Sequence, residues 1–144
     1  MKKITKSGLS CFQFHFIEGF SEDVNHAVFT RNGGVSNFPF NSLNVKFNIG
    51  DQREAVIENR RKILKSMGLR NCVSAVQTHS RNVLTVDAAM REKLFGGGQA
   101  TIEVGDTDGF VTDQRGVGLM LQVADCKAII FYDAAKKVLG MAHA

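Results

Sequence analysis

The chain has 144 residues, 44% of them hydrophobic, and a formal net charge of +4. That length suffices for one core burying roughly 70% of the unfolded surface, and the apolar content excludes a disordered segment. No run approaches the roughly 18 apolar residues of a membrane span, Lys2-Lys3 lacks the apolar stretch of a secretory signal, and the scattered Lys and Arg residues offer no clustered basic face for nucleic acid.

The expected address is therefore the cytoplasm, with neither membrane nor nucleic acid as partner. Cys11, Cys72 and Cys126 are odd in number and widely spaced, which argues against a disulfide framework. Phe12-Gln13-Phe14-His15-Phe16 alternates with period two and predicts an opening strand with His15 on its polar face. His26 to Thr30 is a second short strand, with His26 at the surface. Arg31-Asn32-Gly33-Gly34-Val35-Ser36 is a glycine turn whose backbone N–H groups could face an anion beside Arg31. Its spacing fits neither a P-loop nor G-x-G-x-x-G.

Residues 37–48, rich in Asn and Phe, predict a structured loop. Asp51 and Glu54 resemble a capping box that opens a helix over 52–67, and Gly68 closes it. Val56, Ile63, Leu64 and Met67 form its apolar stripe. Arg60 lies on that face and either snorkels or points into a site. Strands over 72–77 and 83–86 flank a bend that holds His79, Asp87 caps a short helix through Phe95, and Gly96-Gly97-Gly98 breaks the chain. With no repeat, no linker and no regular βαβ alternation, the order predicts a single α+β domain over 1–144.

The last forty residues carry three short apolar runs, 118–123, 127–132 and 138–144, which read as strands buried on both faces. Asp133 to Lys137 is a hairpin-length connection. If Tyr132 pairs with Val138, His143 faces Lys127 and Cys126 turns to the opposite face. If Phe131 pairs with Val138, Cys126 faces His143 with Cβ atoms about 4.5–5.5 Å apart. Both registers stay open, since a one-residue slip exchanges the faces. His79, Cys126 and His143 each lie at a strand end. Two His and one Cys with an open fourth position is the form of a catalytic zinc site.

Several short motifs then appear in order. They are Thr30-Arg31-Asn32-Gly33-Gly34-Val35-Ser36, Ser42-Leu43-Asn44, Gly50-Asp51, Asn59-Arg60, Gln77-Thr78-His79-Ser80, Asp106-Thr107-Asp108-Gly109, Ala124-Asp125-Cys126 and Ala142-His143-Ala144. From about Phe29 to Ala144 the chain resembles the YfiH-like purine nucleoside phosphorylases, also described as multicopper polyphenol oxidoreductases or laccase-domain proteins. The resemblance implies a layered α/β sandwich with a mixed sheet, the YfiH-like, cytotoxic necrotizing factor-like fold. It implies zinc held by His79, Cys126 and His143. It also implies phosphorolysis of adenosine, inosine, guanosine and methylthioadenosine, with adenosine deamination beside it.

Two departures accompany the resemblance. The family's glutamine-valine-histidine-glycine stretch reads Gln77-Thr78-His79-Ser80 here, which keeps the ligand. The family's His-Ala is followed by Gly-Trp-Arg-Gly and a C-terminal half, whereas this chain ends at Ala144, so the expectation is an N-terminal portion of the family domain.

The expected function is a zinc-dependent purine nucleoside phosphorylase in which His79, Cys126 and His143 hold the metal and serve catalysis. Asp108 is either a proton carrier, a partner of a ligand histidine, or a turn aspartate beside Gly109. Arg31, Asn44 and Arg60 are expected to hold phosphate or ribose, since the planar fork of arginine suits phosphate oxygens. Alternation along a strand would point Asp125 away from Cys126. A copper-dependent polyphenol oxidase is the alternative, and copper could occupy the same donors, but four His cannot build a multicopper cluster. An inactive metal-binding fragment is the third reading.

Overall fold

The N-terminal residues form a hairpin that periodicity alone did not reveal. β1 (Lys2–Lys6) runs antiparallel to β2 (Leu9–Gln13). The two residues between them, Ser7 and Gly8, have φ of 49° and 82°, as the tight turn of a right-twisted hairpin requires. β3 (Val28–Phe29) pairs with β2 to complete a three-stranded sheet. The opening strand thus lies earlier than its alternation predicted. Phe14 N donates to His26 Nε2 at 2.7 Å instead of to a ladder partner, and His15–Glu18 forms a one-turn helix, α1. His26 is buried rather than at the surface, its ring stacked on Phe14 at 5.8 Å.

The computed structural model describes residues 1–144, and the chain divides into two compact units, Met1–Gly68 and Leu69–Ala144. The first unit contains α2 (Arg53–Met67), closed by Gly68 at φ 68°, whose N–H reaches Leu64 O and Lys65 O. The expected capping box is absent: Gln52 is the N-cap and makes no side-chain cap bond. Asp51 instead accepts from Ser36 Oγ at 2.6 Å and Asn44 Nδ2 at 2.8 Å, tying the preceding loop together. Val56, Ile63 and Leu64 are buried as the stripe predicted, while Met67 is only half-buried.

Arg60 does not snorkel. It is 1% exposed, with Nε donating to Val45 O at 2.8 Å and its guanidinium 4.2 Å from the Phe47 ring centroid. Such partners offset the cost of burying a charge. Asn59 has 0% exposure, and its Nδ2 group donates to Ser36 Oγ, Ser42 O and Asn44 O. A Cβ at Gly34 would fall 2.0 Å from Ser42 O, so only glycine lets this loop close.

The second unit holds β4 (Asn71–Ala75), β5 (Val83–Val86), α3 (Ala88–Phe95), β6 (Thr101–Val104), β7 (Gly109–Thr112), β8 (Val117–Met120), β9 (Ala128–Asp133) and β10 (Val138–His143). β6-β4-β8 form a parallel sheet. β5-β7-β10-β9 form a mixed one, parallel between β5 and β7 and antiparallel elsewhere. Mixed sheets with helices are the α+β class expected. Val73 and Ala75 of β4, Val86 of β5, Phe110 of β7 and Val117 of β8 share one core, packed by Met90, Leu94 and Phe95 of α3. Asp87 caps α3 as predicted, accepting from Met90 N.

The last hairpin departs from both registers considered. Val138 pairs with Asp133, so His143 faces Ala128. Asp133 Oδ1 accepts from Ala135 N and Lys136 N, and Lys137 has φ 56°. The side-chain turn draws Asp133 into the strand and shifts the ladder. β9 is the outer strand of its sheet and is not buried on both faces, with Ile129 and Phe131 exposed. No helix is long and apolar enough to cross a membrane.

Burial, reinforced by nearby Lys6, lowers the His26 pKa below its ordinary value, with Glu18 opposing weakly. A depressed imidazole contributes stability that is present above about pH 6.5, the unfolded value, and is lost as pH falls through the folded pKa. The urea midpoint is expected to fall as pH drops below about 6.5, and His26→Gln, which retains an acceptor, is expected to flatten that slope relative to wild type.

Candidate metal centre

The site is built around a carboxylate that has lost water. Asp108 is 4% exposed and immediately precedes β7. A buried carboxylate needs hydrogen-bond donors on both oxygens. Oδ2 accepts from Thr78 N at 3.0 Å, Ser80 N at 2.8 Å and Ser80 Oγ at 3.0 Å. Oδ1 accepts from His79 N at 3.1 Å and from His143 Nδ1 at 2.8 Å. Burial alone would push the Asp108 carboxyl up. The bonds from Ser80 N, His143, Thr78 N and Ser80 Oγ outweigh it and hold the group well below the usual carboxylate range.

An ionised carboxylate only accepts, so His143 Nδ1 donates in this contact, and in the neutral imidazole Nε2 is then the nitrogen with the lone pair. The backbone repeats the link, with His143 N donating to Asp108 O at 2.8 Å. The His143 imidazole is thereby fixed at the end of β10, its side chain 4% exposed.

His79 is brought in by the loop between β4 and β5. Its φ is 60°, a left-handed conformation that costs a non-glycine residue about 1–3 kcal/mol. The consecutive N–H groups of Thr78, His79 and Ser80 all aim at Asp108, which holds that conformation in place. Asp106 steadies the loop from outside, accepting from Thr78 Oγ1 and Asn82 Nδ2. Gln77 and Gln122 exchange bonds, Nε2 to O at 3.0 Å and N to Oε1 at 2.8 Å, tying the loop to the segment that leads to Cys126.

Cys126 is not on a strand. Lys127 and Ala144 exchange backbone bonds at 2.7 and 3.0 Å, so Cys126 stands one residue beyond the hairpin ladder. Its Sγ lies 3.7 Å from His79 Nε2. Off the strand, Asp125 no longer points away: its Oδ1 is 3.7 Å from Cys126 Sγ, correcting the alternation argument. Burial pushes the Cys126 thiol up, and the charge and hydrogen bond of Asp125 add to that.

One donor atom each from His79, Cys126 and His143 lies within 4.8 Å of the others, a group that could hold a metal ion. The His79 and His143 ring centroids are 4.8 Å apart. Donors around one tetrahedral zinc, at bond lengths of about 2.0–2.3 Å, stand roughly 3.3–3.7 Å apart. The observed spacing needs only small side-chain adjustment to reach that. One thiol and two imidazoles also suit zinc chemically.

The second unit thus brings His79, Cys126, His143 and Asp108 together. Arg31, Asn44 and Arg60 belong to the first unit and share one loop network there. Arg31 is exposed, its Nε donating to Asn41 O at 2.9 Å. Asn44 Nδ2 serves Asp51 and Lys46 O, and Arg60 braces Val45 and Phe47. Ser80 was not singled out from the sequence as a site residue. A hydroxyl flanking a candidate ligand, two strands from an Asp-x-Asp, was the available signal.

The family model described as multi-copper polyphenol oxidoreductase laccase matches residues 25–144. A purine nucleoside phosphorylase, YlmD, of Bacillus subtilis is 38% identical over 126 residues, covering 86% of this chain and 45% of that protein. A purine nucleoside phosphorylase of Corynebacterium glutamicum is also 38% identical, over 84% of this chain and 47% of that one. The crystal structure of Bacillus licheniformis hypothetical protein YfiH superposes with a TM-score of 0.75 at 30% identity, over 96% of this chain and 49% of that one. That of YlmD from Geobacillus stearothermophilus does so with a TM-score of 0.68 at 34% identity, over 82% and 44%. The chain spans about half the length of the relatives it matches.

Replacing Asp108 by Asn keeps its size but removes the charge that fixes the His143 proton. Partners of ligand histidines typically contribute about 10–100-fold to metal affinity. Competition against a chromophoric chelator is expected to show zinc affinity reduced by about that factor in Asp108→Asn.

Proposed function

The chain belongs to the multi-copper polyphenol oxidoreductase laccase family, and from that premise we propose that it carries the metal-binding portion of a zinc-dependent purine nucleoside phosphorylase of the cytoplasm. The convergence of one donor atom each from His79, Cys126 and His143 supports this reading most directly. Its substrates would be phosphate and a purine nucleoside, adenosine, inosine, guanosine or methylthioadenosine. Phosphate attacks C1′ of the ribose as the purine leaves through an oxocarbenium-like state. A bound zinc supplies Lewis-acid polarisation and a template for the attacking group.

The chain's own residues set up that chemistry. Asp108 holds the Nδ1 proton of His143 and orients the ring. Cys126 enters the donor set as a thiolate, giving up the proton now directed at Asp125 Oδ1. Arg31 is exposed and commits only Nε, leaving the rest of its fork for phosphate oxygens. Asn44 and Arg60 are engaged within the first unit, with Asp51 and Lys46 O and with Val45 O and Phe47, and brace the loop there instead of offering free groups to phosphate or ribose. Deamination of adenosine, with water attacking C6, is the side activity that the same donors would support.

Copper-dependent phenol oxidation fits this chain less well. Laccase chemistry passes single electrons through several coppers and needs many histidines. Here only two His converge. His15 sits in α1 beside Glu18, and His26 accepts from Phe14 N, both in the first unit.

Zinc-loaded protein is expected to release hypoxanthine from inosine only when phosphate is present. Cys126→Ser is expected to reduce that rate at least about 100-fold, the scale of losing a metal-bound group, without lowering the melting temperature of the metal-free protein. Oxygen uptake with a phenol, indifferent to phosphate, would point to the oxidase instead. Stoichiometric zinc binding without either turnover would leave the inactive-fragment reading.

A further inference from the structure

A carboxylate can rotate about its Cβ–Cγ bond unless both oxygens are held. At Asp108 the two oxygens have divided tasks: Oδ1 faces the histidines, and Oδ2 faces the Thr78-His79-Ser80 turn. Two side-chain hydroxyls approach Oδ2, but each has only one proton to give. Thr78 Oγ1 lies much closer to Asp106 Oδ1 than to Asp108 Oδ2, which is 3.4 Å away, so its proton goes to Asp106. Ser80 Oγ has no competing acceptor. It accepts from Asn82 N at 3.2 Å, which turns its own proton toward Asp108 Oδ2 at 3.0 Å. Ser80 N reaches the same oxygen at 2.8 Å, so one residue grips Oδ2 twice.

We propose that Ser80 is a positioning residue for the metal centre: its hydroxyl locks the Asp108 carboxylate so that Oδ1 retains the Nδ1 proton of His143 and Nε2 stays bare for a metal ion. This rests on the phosphorylase reading only in taking His143 as a zinc ligand. The alternative tautomer, with the proton on Nε2, presents no lone pair there and cannot ligate. Ser80 acts through Asp108 and, by way of it, His143. The backbone N–H groups of Thr78 and Ser80 remain when the hydroxyl is removed, so the effect is graded.

Three proteins decide it: wild type, Ser80→Ala and Ser80→Thr, the last restoring a hydroxyl. Two-bond ¹H–¹⁵N spectra of the metal-free proteins read the His143 tautomer, and chelator competition reads zinc affinity. Wild type is expected in the Nδ1–H form. Ser80→Ala is expected to populate both tautomers and to bind zinc about tenfold more weakly, as for loss of a hydrogen bond to a charged group. Ser80→Thr is expected to recover both properties. Ser80→Ala with the wild-type tautomer and an affinity within twofold of wild type would overturn the proposal. So would loss in both variants alike. A wild type that binds no zinc while Ser80→Ala still shifts the tautomer would sink the metal reading and leave the role of Ser80 in place.

Discussion

A carboxylate removed from water has to find donors, and the donors Asp108 finds determine where the candidate ligands stand. Three successive backbone N–H groups from the 78–80 turn converge on it, which holds His79 at φ 60°. The His143 ring donates to it from β10, and the His143 backbone N–H donates to the Asp108 backbone carbonyl. One buried anion therefore joins two histidines that are 64 residues apart in the chain. Cys126 reaches the same point by a different route, through the Gln77–Gln122 exchange and the end of the β9–β10 ladder. Each hydrogen bond to the Asp108 carboxylate offsets part of the cost of burying it, so the turn and β10 hold the anion jointly.

The rest of the second unit serves to bring those segments to one place. Phe110, two residues past Asp108, is fully buried in the core with Val73, Ala75 and Val86. That anchors the start of β7, and the pairing of β7 with β10 carries His143 alongside. Gly109 lies between the two. A Cβ there would sit 3.1 Å from Val83 and 3.2 Å from Met141 O, so the close approach of three strands depends on its missing side chain. The first unit follows the same logic with a neutral hub, as buried Asn59 gathers the 35–44 loop, to which Arg31 is tied through Asn41 O.

How much of this was legible varies with the physics at each residue. Helix α3 and its Asp87 cap, strand β5 and the glycine end of α2 follow from local rules, and the structure bears them out. Elements that depend on long-range partners depart from their local pattern. Asp51 and Glu54 have the spacing of a capping box, but Ser36 and Asn44, distant in sequence, hold Asp51 instead. Phe12 to Phe16 alternates like a strand, yet His26 takes the N–H of Phe14 and the chain turns into α1. The hairpin register was undecidable from periodicity, because Asp133 could end the strand or begin the turn. Its side chain, capping Ala135 and Lys136, settles it. His79, Cys126 and His143 are legible as soft donors, and Asp108 through its Asp-Thr-Asp-Gly motif. Ser80 is not, because its role exists only once Asp108 is seen to be buried.

One sulfur and two ring nitrogens are expected around a single cation. X-ray absorption at the zinc edge of the loaded protein measures this directly. The expected spectrum has one sulfur at roughly 2.3 Å and two nitrogens at roughly 2.0–2.1 Å, with one remaining light-atom position, and the sulfur shell disappears in Cys126→Ser. A coordination shell without sulfur in the wild-type protein would contradict the account.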